Sequence, residues 1–225
     1  MDTAVVILNW NGHAWLEQFL PGVVAHTGGT ARVIVADNGS TDGSVAWLQA
    51  HMPTVEVIAM PENLGFAGGY NAALARVEAN YYILLNSDVE VTPDWVTTLR
   101  GYLERHPDMA ACQPKVLAWK DRTRFEHAGA AGGYIDRNGY PFCRGRIFEL
   151  TETDQGQYDD EREVFWATGA CLMIRAADFH AVGGFDASLF AHMEEIDLCW
   201  RLKRIGRRIG YTGRATIHHV GGGAL

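Results

Sequence analysis

The sequence predicts an α/β fold built on a mostly parallel central sheet with helices on its faces, and three observations carry that prediction. Short, continuously apolar runs recur through the first half, with helical patterns between them. Such runs mark strands buried on both faces, as in parallel sheets. Polar clusters follow three of these runs, at Asn9–Asn11, Asp37–Asn38 and Asn86–Asp88. Parallel sheets bind ligands at the carboxyl ends of their strands, so the three clusters are expected to converge in one crevice. After Leu117 the alternation stops, which marks a subregion of different construction.

The elements follow in order. Ala4–Leu8 reads as the first strand, ending at Asn9-Trp10-Asn11-Gly12, with a helix from His13 to Ala25 containing Pro21. Val33–Ala36 is the second strand, and Ser40 or Thr41 is expected to cap a helix running to His51, with Asp42 near its positive end. Val55–Ala59 is the third strand, and Gly65–Glu78 a loop leading into a helix. Tyr81–Leu85 is the fourth strand, Pro93 opens a helix to Arg105, and Ala110–Val116 is a further strand. Residues 120–162 are rich in Gly, Asp, Arg and aromatics, with long loops and weak strand signals. Val164–Arg175 reads as a strand–turn–strand pair around Thr168-Gly169-Ala170, Ala176–Val182 as a short helix, and Ala215–His218 as a last strand. In Glu194–Ile205 the apolar positions Leu198, Leu202 and Ile205 share one helix face.

The 225 residues are 48% hydrophobic, enough for a sizeable single core. The formal net charge of −8 argues against nucleic acid as a partner. The densest basic run, Arg201–Arg208, is expected to be a solvated helix face rather than a surface for acidic lipid headgroups. Cys112, Cys143, Cys171 and Cys199 form no C-x-x-C pair, which argues against a zinc site and for buried free thiols in a reducing cytoplasm. The first residues lack the basic region of a signal peptide. No apolar run approaches the roughly 20 residues that span a bilayer. The expected location is therefore cytoplasmic, with the inner face of the membrane open as a site of peripheral association.

Several groups can carry chemistry, each beside a plainer reading. Asp88, just past a buried strand, suits a hard divalent cation such as Mg²⁺ or Mn²⁺, which takes one or two carboxylates plus phosphate oxygens. It suits a turn-capping role equally. Asn86 and Ser87 fit either reading. Asp37 can accept from a base or ribose, or close an Asx turn; Asp42 is expected only to cap. The segment from Asn63 through Gly65 to Asn71 lets backbone approach a diphosphate or a neighbouring strand. Glu194 and Glu195 open a helix, where an ionised carboxylate is favoured and a general base can sit. First-turn acids also simply complement the helix dipole. His218 and His219 end a strand as potential metal ligands or as structural histidines. Trp166 and Gly169 can form an acceptor wall or pack in the core.

Taken in order, Val6–Gly12, Asp37–Asp42, Asn63–Ala67, Leu84–Asp88, Gly183–Asp186 and Glu194–Leu198 resemble the family 2 glycosyltransferases, and most closely their bacterial rhamnosyltransferase-like members. The resemblance runs from Val5 to Gly222. It implies the GT-A fold, a single catalytic domain on a Rossmann-like sheet. Residues 1–117 would form its nucleotide-sugar half and residues 118–225 its acceptor and catalytic half. It implies an inverting transfer from a nucleotide-diphosphate sugar, of UDP or dTDP type, to a saccharide or lipid-linked acceptor in cell-surface polysaccharide synthesis. Asp37 would contact base or ribose, with Asn9, Asn11, Asn63, Gly65, Asn86 and Ser87 lining the donor pocket. Asp88 would be the metal-binding acid of the D-x-D motif, with His218 as the late metal-binding histidine. Glu195 would be the catalytic base and Glu194 the acid preceding it. Two positions depart from the pattern: Asn86 replaces the first aspartate of D-x-D, and Glu195 replaces the usual aspartate. A nucleotidyltransferase and a catalytically silent nucleotide-sugar-binding module share much of this logic. The first would need a basic loop for a triphosphate, which the sequence lacks.

Overall fold

The computed structural model describes residues 2–190 and 192–221. The terminal glycine run beyond Gly221, including the end of the resemblance at Gly222, lies outside them. The elements are β1 (Thr3–Asn9), α1 (His13–Thr27), β2 (Arg32–Asp37), α2 (Ser44–His51), β3 (Glu56–Ala59), α3 (Gly65–Leu74), β4 (Tyr81–Asn86), β5 (Val89–Val91), α4 (Trp95–Arg105) and β6 (Met109–Ala118). Then follow β7 (Gly133–Ile135), β8 (Pro141–Cys143), β9 (Arg146–Ile147), β10 (Leu150–Thr151), β11 (Glu161–Val164), β12 (Cys171–Arg175), α5 (Ala176–Ala181), α6 (Glu194–Arg204) and β13 (Arg208–His219).

One nine-stranded sheet organises the fold, in the order β11-β13-β6-β12-β4-β1-β2-β3, with β5 also paired to β13. β1, β2, β3 and β4 are parallel, and β13 is parallel to β6. β12 runs against both β4 and β6, while β11 and β5 run against β13. The sheet therefore passes without a break from the first half into the second. Alternation along each strand feeds two cores: Val6, Ile34 and Leu84 face one with Tyr70 of α3, and Val5, Ile7 and Leu85 face the other with Leu16 of α1 and Trp95 of α4.

The second half departs from expectation most. β11 and β12 do not pair; β13 and β6 lie between them in the sheet. Cys171, Leu172, Met173 and Ile174 are fully buried, so β12 takes a central slot, with Cys171 opposite Leu85 and Met173 opposite Cys112. β13 starts at Arg208, well before Ala215, and shifts register between Thr212 and Thr216. Gly213 sits in that irregularity, where a Cβ would lie 2.4 Å from the Tyr158 carbonyl oxygen. In the first half, α2 starts at Ser44 rather than after Ser40 or Thr41. Asp42 Oδ1 accepts from the Ser44 amide at 3.0 Å and its Oδ2 from the His13 amide at 2.8 Å, so one aspartate tethers both helix starts. α1 continues through Pro21 to Thr27 and stops at Gly28, which is left-handed (φ 52°).

Four of the five cations in the basic run are held in ion pairs; Arg204 has none among the described residues. Arg201 pairs with Asp197, Lys203 with Glu163, Arg207 with Asp178, and Arg208 with Asp108 and Glu163. All four cysteines are free and buried. No helix among the described residues is long and apolar enough to cross a membrane.

Candidate active site

The ends of β1 and β2 are joined by side chains. Buried Asn9 Nδ2 donates to Asp37 Oδ1 at 3.0 Å and to Ser40 Oγ at 3.2 Å. Asp37 Oδ2 accepts from the Ser40 amide at 3.0 Å, closing the turn at Gly39. Asn11 is exposed with φ 50°; its amide donates to Ser40 Oγ and its Oδ1 accepts from the Thr41 amide. Asn38 bridges to the next loop: Nδ2 donates to Asn63 Oδ1 (2.8 Å) and the Gly65 carbonyl (3.0 Å), and Oδ1 accepts from the Leu64 amide. The sequence-predicted Asn9, Asn11, Asp37, Asn63 and Gly65 thus occupy one hydrogen-bonded rim. Ser87 joins it through Gly12, where a Cβ would stand 3.5 Å from Ser87 Oγ and 2.5 Å from Asn9 Oδ1.

The glycine-rich start of α3 serves packing rather than an open anion site. The Phe66 and Ala67 amides donate to the Phe190 carbonyl at 2.8 and 3.4 Å. Gly65, at φ 73°, lies so close that a Cβ would come within 2.7 Å of the Phe190 ring. Gly69 is pressed on Leu8, where a Cβ would meet Cδ1 at 2.8 Å. Asn71 of α3 clamps the Gly183–Asp186 segment, donating from Nδ2 to the Phe185 carbonyl and accepting from the Phe185 amide at Oδ1. The same segment leads into α6, so these contacts carry Glu194 and Glu195 towards the strand ends. Burial raises the Glu194 carboxyl above its usual range. Burial, with Glu194 next to it, pushes Glu195 up to about 7. Asp197 is committed to Arg201 four residues on.

At the ends of β4 and β13 the chemistry differs. Asp88 is fully buried, and neither carboxylate oxygen has a hydrogen-bond partner among the described residues. His219 Nε2 lies 3.2 Å from Asp88 Oδ1, and Asn86 Nδ2 lies 3.5 Å from the same nitrogen. On the other side of the ring, His219 Nδ1 lies 3.6 Å from Glu126 Oε2. Burial would lower the His219 pKa, but the two carboxylates outweigh it and hold the ring up to about 9. His218, the histidine expected to bind metal, faces away: its Nδ1 lies 3.8 Å from Glu90 Oε1, opposite which β13 places it. Its pKa is lowered, by burial first and by Arg122 second. The histidine beside Asp88 is therefore His219, because successive residues of a strand point to opposite faces.

Glu126 was not foreseen. Its only signal in the sequence is the small-residue run that follows it, Ala128–Gly133, which implies close backbone approach. It is buried and accepts from the Ala128 amide at 2.6 Å. Trp166 is not an open wall: it is buried, donates from Nε1 to the Tyr134 carbonyl at 2.9 Å, and lies over Gly133, where a Cβ would collide with its ring. Gly169 stays half-buried near the Phe66 ring at the mouth of α3. A cavity of about 570 Å³, lined by Asp2, Asn80, Tyr82 and His180, lies at the opposite, amino ends of β1 and β4.

Whether these donors suit a divalent ion follows from their chemistry. No cluster of three or more His, Cys, Asp or Glu side chains is arranged around a cation among the described residues. Asp88 offers two buried oxygens without a hydrogen bond, with the His219 imidazole nitrogen 3.2 Å from Oδ1. One carboxylate and one imidazole suit a cation that completes its shell with phosphate oxygens and water.

A mostly parallel sheet with polar strand ends, a buried aspartate beside a histidine and an acidic helix start together define the class of the chain, and the comparisons name it. The sequence model of glycosyl transferase family 2 matches residues 4–183, and the chain belongs to that family. It is 28% identical to an N-acetylglucosaminyl-diphospho-decaprenol L-rhamnosyltransferase of Mycobacterium tuberculosis, over 96% of this chain and 75% of that protein. It is also 28% identical to the rhamnosyltransferase WbbL of Escherichia coli, over 65% of this chain and 57% of that protein. Among solved structures it resembles GalNAc-T7 with UDP, GalNAc and Mn²⁺ (TM-score 0.76, 14% identity, 97% of this chain and 44% of that one). It also resembles a mannosyltransferase of Pyrobaculum calidifontis with GDP-Man and Mn²⁺ (TM-score 0.68, 14% identity, 97% and 56%). At such identities the likeness establishes the GT-A fold. The chain spans about half the length of these structural relatives.

Proposed function

We propose that this glycosyltransferase moves a sugar, of hexose or deoxyhexose type, from a nucleotide diphosphate of UDP or dTDP type to a hydroxyl of a saccharide or lipid-linked acceptor, with inversion. The observation that carries this reading is Asp88, fully buried at the end of β4, with the His219 imidazole 3.2 Å from Oδ1 and no partner for Oδ2 among the described residues. The Asp37–Asn9–Ser40 rim supplies a preformed edge for base and ribose, and Ser87 and Asn86 line the path from it to Asp88. Asp88 and His219 are the residues that would hold Mn²⁺ or Mg²⁺, and the ion would supply charge neutralisation for the departing diphosphate. Glu126 fixes the His219 ring through Nδ1, leaving Nε2 directed towards Asp88. Glu195, ionised above about pH 7, takes the proton from the acceptor hydroxyl as it attacks the anomeric carbon. Glu194 raises the basicity of Glu195 by like-charge proximity. Residues 1–117 form the donor side and the later residues, with Gly169 near the crevice mouth, the acceptor side. The work takes place in the cytoplasm, at the inner face of the membrane.

The test is nucleotide release from a panel of UDP- and dTDP-sugars with and without Mn²⁺. Stimulation by Mn²⁺ in the wild type and its loss in Asp88→Asn support the reading. Undiminished turnover in Asp88→Asn removes the metal assignment.

A further inference from the structure

β6 is a central strand buried from Met109 to Leu117, yet it carries a lysine. Lys115 is only 4% exposed. Its Nζ donates to Asp154 Oδ2 at 2.7 Å and to Asp159 Oδ1, and lies 5.9 Å from the centre of the Phe125 ring. Taking an ammonium out of water is costly, and an apolar side chain of similar length usually serves a core as well or better. What the ammonium adds is direction: it ties this point of β6 to two particular carboxylates.

Those carboxylates stand near the two ends of one loop. Asp154 Oδ1 also accepts from the Gly156 amide at 3.1 Å, and the Tyr158 ring packs on Phe125 with centroids 5.4 Å apart. The loop is fastened in turn to the chain beside it. The Asp154 amide donates to the Thr123 carbonyl at 2.7 Å, the Phe125 amide donates to the Glu152 carbonyl at 3.0 Å, and Arg124 and Thr153 form an antiparallel bridge. Residues 123–126 are thus held from outside by the loop that Lys115 clips.

The inner side of residues 123–126 lies along β6. β12 pairs with β6 at Ala111 and Cys112. Further along, Leu117 bridges Phe125 in the antiparallel sense. The Ala118 amide donates to the Arg124 carbonyl at 2.9 Å and the Glu126 amide to the Val116 carbonyl at 3.0 Å. So short a ladder has little of its own to set its register, and a slip of one residue turns every side chain to the other face. Glu126 would then turn away from His219, which it faces at 3.6 Å. Phe125 is the side chain that the clip locks. It is fully buried under Lys115 and Tyr158, and a Cβ at Gly145 would meet its ring at 2.8 Å.

We propose that Lys115, clipped to Asp154 and Asp159, is a positioning residue of the active site: it fixes the register of residues 123–126 on β6 and so presents Glu126, rather than a neighbour, to the His219 ring. This rests on the proposed function only for what the geometry serves, the orientation of His219 beside Asp88. The ammonium acts through Phe125 and Glu126 and is not itself a catalytic group.

Hydrogen exchange on the metal-free protein tests the clip without any turnover. Lys115→Met combined with Asp154→Asn removes the two more buried charges together and leaves Asp159, whose side chain is 61% exposed, to water. The amides of Phe125, Glu126 and Ala128 are expected to exchange at least about tenfold faster than in the wild type, while those of Val6 in β1 and Leu84 in β4 keep their protection. Asp159→Asn alone, which removes the exposed half of the clip, is expected to speed the same three amides about threefold, and it decides the matter should the paired variant fail to fold. Calorimetry supplies the second arm. The paired variant is expected to weaken Mn²⁺ binding about tenfold, as Glu126→Gln does, and the three substitutions together to weaken it no further, because they act through one contact. Unchanged exchange at Phe125, Glu126 and Ala128 overturns the proposal. So does an equal loss of protection throughout the sheet, which is what a role in stability alone gives, and so do additive losses of Mn²⁺ affinity. A wild type that binds no Mn²⁺ sinks the metal reading instead, and the exchange rates still decide the role of Lys115.

Discussion

At the ends of β1 and β2, Asp37, Asn38 and Ser40 direct their hydrogen bonds at one another and at Asn9, Asn63 and the loop backbone. At the ends of β4 and β13, Asp88 is buried with Oδ2 lacking any partner among the described residues, and His219 stands between its Oδ1 and Glu126. The first rim is largely closed on itself before any ligand arrives, with Asn9 Oδ1 left as a buried atom without a partner. The second holds groups whose stabilisation is deferred to a ligand. Buried polar atoms without partners cost free energy, so their retention marks where folding yields to function. It follows that substitutions in the first rim should act on stability, and those in the second on turnover.

The largest test of that contrast is Asp88→Asn, which keeps the volume and removes the charge. Turnover is expected to fall about 1000-fold, roughly 4 kcal/mol, with little change in thermal midpoint. A large loss of stability with proportionate activity would place Asp88 in the structural class instead.

Glu195→Gln comes next, with turnover reduced at least about 100-fold and donor binding retained. The wild-type rate should rise with pH and level off above about 7, because the base works only when ionised. Stability should run the other way. A carboxyl raised to about 7 in the folded state binds its proton more tightly there than in the unfolded chain. Its stabilisation is complete below about pH 4.5 and is lost as pH rises through 7. The Gln variant should therefore be more stable than the wild type at pH 8, by about 3 kcal/mol, and the two should converge near pH 4.5. A flat comparison across that range would count against both statements.

Asn38→Ala sits on the other rim. It removes three hydrogen bonds from a buried position that joins β2 to the start of α3, and is expected to cost about 2 kcal/mol in denaturant unfolding. The residual turnover per folded molecule should stay within a few-fold of wild type. The smallest effect is expected for Glu126→Gln, where Mn²⁺ affinity measured by calorimetry should drop about tenfold while apo stability changes little. Unchanged affinity would make Glu126 a packing residue.

The division between what could be read and what could not follows the two halves. In the first, strands are continuous apolar runs and helices are close in sequence to the strands they cover, so local pattern and topology coincide. Asp42 as a cap and Asp37 at a strand end were legible for that reason. In the second, β12 and β13 owe their positions to distant partners. Two histidines in a row could not be told apart either: the irregularity between Thr212 and Thr216 resets which face each residue takes, and a one-residue shift reverses every side chain. Gly65 and Gly69 were legible as sites of close approach, but not as approaches to Phe190 and Leu8.

The sequence by itself determined the sheet-and-helix class, the family and the set of polar strand ends, because these depend on periodicity and on residues a few positions apart. Only the tertiary structure decided that His219 rather than His218 stands at Asp88, that Glu126 supports it, and that the glycine-rich helix start is occupied by Phe190. Each of those depends on contacts between segments more than ninety residues apart, or on the parity of a strand whose register is set by its neighbours.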